Sequence, residues 1–187
     1  VYLDLWVADR QGKVIATGRP RRFPQAIGTN VANEPWFRQA LNTKDGSDFA
    51  VVDVTANPVL DGRTVATYST AVRRDGAVDG EVIGAMGIFF DWEPQARAVT
   101  TGVRLDRSEE AQTRCLLVDA AGRIIASSDG RGQLAESFPL ETQGRPMGHY
   151  VDRFGRLVGF ALTPGYETYR GLGWYGVIVQ TGGETAH

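Results

Sequence analysis

The chain has 187 residues, 42% hydrophobic and 22% charged, the balance of a folded protein with one sizeable core or two small ones. A formal net charge of −2 offers no basic face and argues against a nucleic-acid partner. The one cysteine, Cys115, rules out an internal disulfide, and its run Cys115-Leu116-Leu117-Val118 reads as buried apolar strand rather than nucleophile.

The chain opens in an apolar strand, Tyr2-Leu3-Asp4-Leu5-Trp6-Val7, and closes on another, Trp174-Tyr175-Gly176-Val177-Ile178-Val179. No signal peptide opens it and no stretch approaches the roughly 18 apolar residues of a membrane span. The abrupt start and stop read as a fragment of a longer protein whose anchoring and output segments lie elsewhere. The first strand runs into an Asp-x-x-Gly turn and a second strand, Val7 to Thr17, and the same pattern recurs 110 residues later at Leu117 to Ser127. Asp9 and Asp119 can accept turn amides, and Gly12 and Gly122 can take positive φ, so each copy predicts a β-hairpin.

Between the copies, Asn33 to Leu41 predicts a short helix with Asn33 as N-cap, Pro35 in the first turn and Trp36, Phe37, Ala40 and Leu41 on one face. Phe49–Thr55, Arg63–Val72 and Glu81–Trp92 predict three strands joined by turns at Asn57-Pro58, Asp61-Gly62, Asp75-Gly76 and Asp79-Gly80. A helix from Glu93 to about Val103 and a polar helical stretch at Ser108–Gln112 lead into the second hairpin. Strands are then predicted near His149–Val151, Leu157–Leu162 and Trp174–Val179. The expected class is α/β (α+β): two modules in tandem, each an antiparallel sheet flanked by helices, at 1–95 and 112–187 with a connecting helical segment at 96–111.

These features together resemble the double Cache sensor regions of bacterial membrane receptors. The paired hairpins carry the resemblance, with the helix Glu34-Pro35-Trp36-Phe37-Arg38-Gln39-Ala40, the strands Thr64–Thr70 and Ile83–Asp91, and the closing Gly173-Trp174-Tyr175-Gly176-Val177. It implies a periplasmic, ligand-sensing region of a membrane-anchored receptor, chemotaxis-type or otherwise a histidine kinase or diguanylate cyclase, homodimeric when full-length. It implies two PAS-like modules, a membrane-distal first module that binds the ligand and a membrane-proximal second module that relays it. In amino-acid-binding members an Arg-x-Trp-Tyr segment holds the carboxylate, and a Tyr and an Asp on later strands hold the ammonium. The corresponding residues here are Glu34, Trp36 and Phe37, then Tyr68, then Phe89 with Asp91 two residues on.

Glu34 in place of arginine reverses a charge, so a standard amino acid loses its carboxylate partner. Trp36, Phe37, Tyr68 and Phe89 with Asp53 or Asp91 would suit an amine, a quaternary ammonium or a purine-like heterocycle. Arg38, Arg21 or Arg22 could still serve an amino acid or small carboxylate. Each aromatic could also be core, Phe37 and Phe89 above all, and each Asp could cap a turn or strand end. With two histidines, His149 and the terminal His187, no metal-ligand spacing, phosphate loop or nucleophile elbow occurs. Neither an enzyme nor a cofactor is expected; a carboxylate-pair hydrolase is the one enzyme class left open. A ligand-free module recognising a periplasmic binding protein and a cytosolic PAS-like module are the other readings.

Overall fold

A computed structural model describes residues 2–164 and 171–182. The described chain divides into two compact units, Val1–Trp92 and Glu93–His187. His187 lies outside the described residues.

In the first unit, β1 (Tyr2–Asp9) turns back into β2 (Val14–Thr17). The carboxylate of Asp9 accepts the amides of Gln11 and Lys13, and Gly12 sits at φ 86°, where a Cβ would lie 2.6 Å from the Ala32 nitrogen. A connecting segment with a 3-10 turn at Pro24–Ala26 leads to α1 (Pro35–Leu41). β3 (Ala50–Asn57), a 3-10 turn at Pro58–Leu60, β4 (Arg63–Arg73) and β5 (Val82–Asp91) complete an antiparallel sheet ordered β2-β1-β5-β4-β3. The N-cap of α1 is Glu34 rather than the expected Asn33, whose side chain instead accepts from Arg38 Nη2. Pro35 accounts for the shift, because its fixed φ and missing N–H suit the first helical position.

The second unit carries α2 (Trp92–Thr101), α3 (Arg107–Glu110), β6 (Thr113–Val118), β7 (Ile124–Ser127), β8 (Met147–Val151), β9 (Leu157–Leu162) and β10 (Tyr175–Gln180). Its sheet order, β7-β6-β10-β9-β8, repeats the first. The hairpins coincide bond for bond: Trp6 pairs Thr17 and Leu116 pairs Ser127, Ala8 pairs Val14 and Val118 pairs Ile124, with a bulge at the same step. Gly18 N–H donates to Leu5 O, and Ser128 N–H donates to Cys115 O. The expected repeat is thus one of architecture. The units diverge after the hairpin. The first places α1 over its sheet, whereas Ser128–Pro146 crosses to β8 as loop, so the second sheet has no helix in that position.

The cores differ too. Trp6, Phe23, Trp36, Phe37, Leu60, Val65 and Phe89 fill the first unit, while Leu116, Val118, Ile124, Val158, Val177 and Val179 make the second mainly aliphatic. Cys115 is buried in the second unit, and that burial pushes its thiol up from the ordinary value.

Candidate functional site in the first unit

Strand alternation sorts the first sheet into two faces. Cross-strand pairing puts Asp4 opposite Phe89, Trp6 opposite Gly87, Thr67 opposite Phe89 and Ser69 opposite Gly87, so all six residues share the face under α1. α1 is fixed there by two contacts. The Ser69 hydroxyl donates to Trp36 O at 2.9 Å, and the six-membered ring of Trp36 rests on Gly87, where a Cβ would meet it at 2.9 Å. Trp36 packs edge-on to Phe89 with centroids 5.7 Å apart, and Phe89 meets Trp6 at 4.5 Å. These three rings are almost wholly buried.

A cavity of about 260 Å³ lies against this aromatic set. Trp6, Trp36, Phe89, Val52 and Val65 line it from the sheet and helix, Thr29, Asn30, Val31 and Glu34 from the connecting segment, and Asn57, Pro58 and Val59 from the turn after β3. That turn is built by Asn57, whose side-chain oxygen accepts the amides of Val59 and Leu60. Gln25 Nε2 donates to Val59 O at 2.7 Å and so clasps the connecting segment to the turn across the cavity.

Of the residues expected at a site, Glu34, Trp36 and Phe89 are on the cavity wall. Five are elsewhere. Phe37 is buried beside Trp36 at 5.8 Å, as core. Arg38 is exposed and donates to Ala32 O and Asn33 Oδ1, turned along its own helix start. Asp53 sits where β3 bulges between Val52 and Thr55, and its carboxylate accepts the Val54 amide at 2.7 Å. Tyr68 is on the opposite face: it neighbours Thr67 in β4, and its ring meets Phe90 at 5.2 Å and Phe49 at 6.1 Å. Asp91 shares the face of Phe89 but is ion-paired to Arg63 Nη2 at 2.5 Å. Arg21 and Arg22 are exposed, the latter 5.0 Å above the Phe23 ring, and neither lines the cavity.

Two residues of this face escaped the sequence reading. Trp6 lines the cavity, and Asp4, 2% exposed, accepts Trp6 Nε1–H at 2.9 Å and the Leu5 amide at 2.9 Å. A signal was present: Asp4, Trp6 and Ala8 alternate in β1, so an acidic residue stands in a core-facing series. In the second unit the positions equivalent to Asp4, Trp6 and Phe89 hold Arg114, Leu116 and Val179, which removes both the buried acid and the aromatic wall.

The architecture is that of two PAS-like modules in series, each built on an antiparallel five-stranded sheet. No family profile and no curated protein matches the chain. Among solved structures it is similar to the ligand-binding domain of the Pseudomonas fluorescens chemoreceptor CtaA in complex with L-serine, with 16% identity, TM-score 0.62, and 96% of this chain and 73% of that one covered. It is similar to the sensor domain of the V. cholerae histidine kinase DctB, with 12% identity, TM-score 0.63, and 97% and 72% covered. The sensory domain of the Campylobacter jejuni chemoreceptor Tlp3 matches with 17% identity, TM-score 0.60, and 96% and 67% covered.

Proposed function

We propose that the chain is the extracytoplasmic small-molecule sensing region of a membrane-anchored signalling receptor, homodimeric when full-length, with its ligand held in the first unit. The observation that carries this reading is the cavity between sheet, α1 and connecting segment, walled by Trp6, Trp36 and Phe89 and closed by the Gln25–Val59 bond. The second unit shares the fold but has exchanged those residues, which supports one binding module and one relay. The serine complex of CtaA supports a small polar metabolite as the kind of ligand. A chemotaxis receptor is the favoured whole protein. The similarity to DctB supports a histidine kinase sensor as the second reading.

In this mechanism a ligand draws segment 19–33 onto the sheet, and the work available is its difference in affinity between open and closed arrangements. A panel of amines, purines, amino acids and small carboxylates, screened by thermal unfolding, tests the reading. A ligand of the first unit raises Tm by mass action, by an amount that grows with its concentration, and Trp36→Ala removes the shift. If no class raises Tm, the sensing proposal fails and a role in recognising a periplasmic binding protein takes its place.

A further inference from the structure

Resting on that sensing role, we propose that the cavity of the first unit takes a small organic cation without a carboxylate, a primary or quaternary ammonium, and that Asp4 tunes Trp6 to hold it. Three observations converge. First, Trp6, Trp36 and Phe89, whose rings pack on one another at 4.5 and 5.7 Å, form one aromatic wall of a small cavity. Clustered ring faces attract a cation through their quadrupoles, most strongly when water is excluded.

Second, the charge around the cavity is negative. Among the described residues Glu34 is the charged residue of the lining, exposed at its rim. The buried Asp4 stands behind Trp6 and, among the described residues, takes part in no ion pair. The guanidinium on this sheet face, Arg63, is held by Asp91, and Arg38 is turned to Ala32 O and Asn33. A carboxylate brought here would meet no lysine or arginine in the lining and would lose its hydration without a counter-charge. Three of the hydroxyl and indole donors of the lining are committed, Trp6 Nε1–H to Asp4, Thr29 to Gln25 O and Thr55 to Ala56 O, which leaves the Trp36 indole and the Thr67 hydroxyl as neutral donors that supply no counter-charge.

Third, the Asp4–Trp6 bond links the two effects. A carboxylate accepting an indole N–H polarises the ring and makes its face more negative, the direction that favours a bound cation. Asp4 is therefore a positioning and polarising residue that need not touch the ligand.

The test is calorimetric titration of the protein with choline, with its neutral tert-butyl isostere in which carbon replaces the ammonium nitrogen, with glycine betaine, and with L-serine. Choline is expected to bind at least about tenfold more tightly than the isostere. Betaine, which keeps the ammonium and adds a carboxylate, is expected to bind more weakly than choline. Glu34→Gln, at an exposed position, should weaken choline about threefold. Asp4→Asn should weaken choline and leave the isostere unchanged, a split that a packing defect would not produce; unliganded Tm reports whether the variant folds. If Asp4→Asn does not fold, Glu34→Gln and the isostere comparison still decide the cation assignment. If the isostere matches choline, or serine and betaine bind and choline does not, the cation assignment is overturned while the sensing role stands. If nothing in this set binds, the cation assignment is overturned; the sensing role then falls too if the wider panel raises no Tm.

Discussion

Gly87 has no side chain because Trp36 occupies the space one would need. The Cβ of an alanine there would stand 2.9 Å from two ring carbons of Trp36, and neither the strand nor α1, tied by Ser69 to Trp36 O, has an easy way to yield. Gly87→Ala is expected to destabilise the first unit by about 1–3 kcal/mol, the usual range for overpacking, read as a lower urea midpoint at unchanged m. This residue explains what was and was not legible at its own scale. Trp36 and Phe89 stand out in the sequence as large aromatics on a helix face and a strand. That they meet depends on Gly87 standing opposite Trp6 and Ser69 in the register of three strands. Tyr68 looked equivalent to Phe89, but one step along a strand reverses the face. Asp4 and Trp6 were readable as neighbours on one side of β1. Their meaning was not, because the partner strand lies more than eighty residues away.

Among elements, the Asp-x-x-Gly turn is the recurring device. Asp9, Asp119 and Asp152 each accept two amides of their own turn, at Gln11 and Lys13, Ala121 and Arg123, and Phe154 and Arg156. The later two add a guanidinium bond, from Arg123 and from Arg156. The first two turns were legible because their residues are local. The third was overlooked because no strand pattern as long as the others precedes it, β8 being a short edge strand with exposed Met147 and Val151. The last of these turns carries a pH signature. Burial pushes Asp152 up, but the Arg156 amide and guanidinium and the Phe154 amide more than offset it, leaving it below its ordinary 3.8. Burial likewise pushes Asp129 up, and the Ser127 hydroxyl, the Arg131 amide and Arg114 bring it below 3.8. A carboxylate lowered by folding stabilises fully above its unfolded value and stops doing so as pH falls through its folded value. These two carboxylates should therefore contribute constant stability to the second unit above about pH 5 and lose it progressively below pH 3.8. Asp129→Asn should flatten that acid limb in a series of thermal melts.

For the whole molecule, each unit has its own sheet and its own buried cluster, so each meets the condition for cooperative unfolding by itself. Urea denaturation followed by amide exchange should resolve two transitions. A ligand of the first unit should raise the midpoint of one of them and protect β1, β5, α1, segment 19–33 and the turn at Pro58–Leu60, leaving the second midpoint unchanged. A single transition shifted as a whole would show that the two cores are coupled. No described helix is long and apolar enough to cross a membrane.

By itself the sequence determined the opening strand, the repeated hairpin and the strand-rich class, because turns and alternation are properties of neighbours along the chain. The tertiary structure decided the rest. Pairing between distant strands selected the face that α1 covers, turned Tyr68 away from Phe89, joined Asp91 to Arg63, and set Trp6 on Asp4 beside a cavity. A strand offers two faces with equal clarity, and only packing against a helix encoded elsewhere in the chain makes one of them a site.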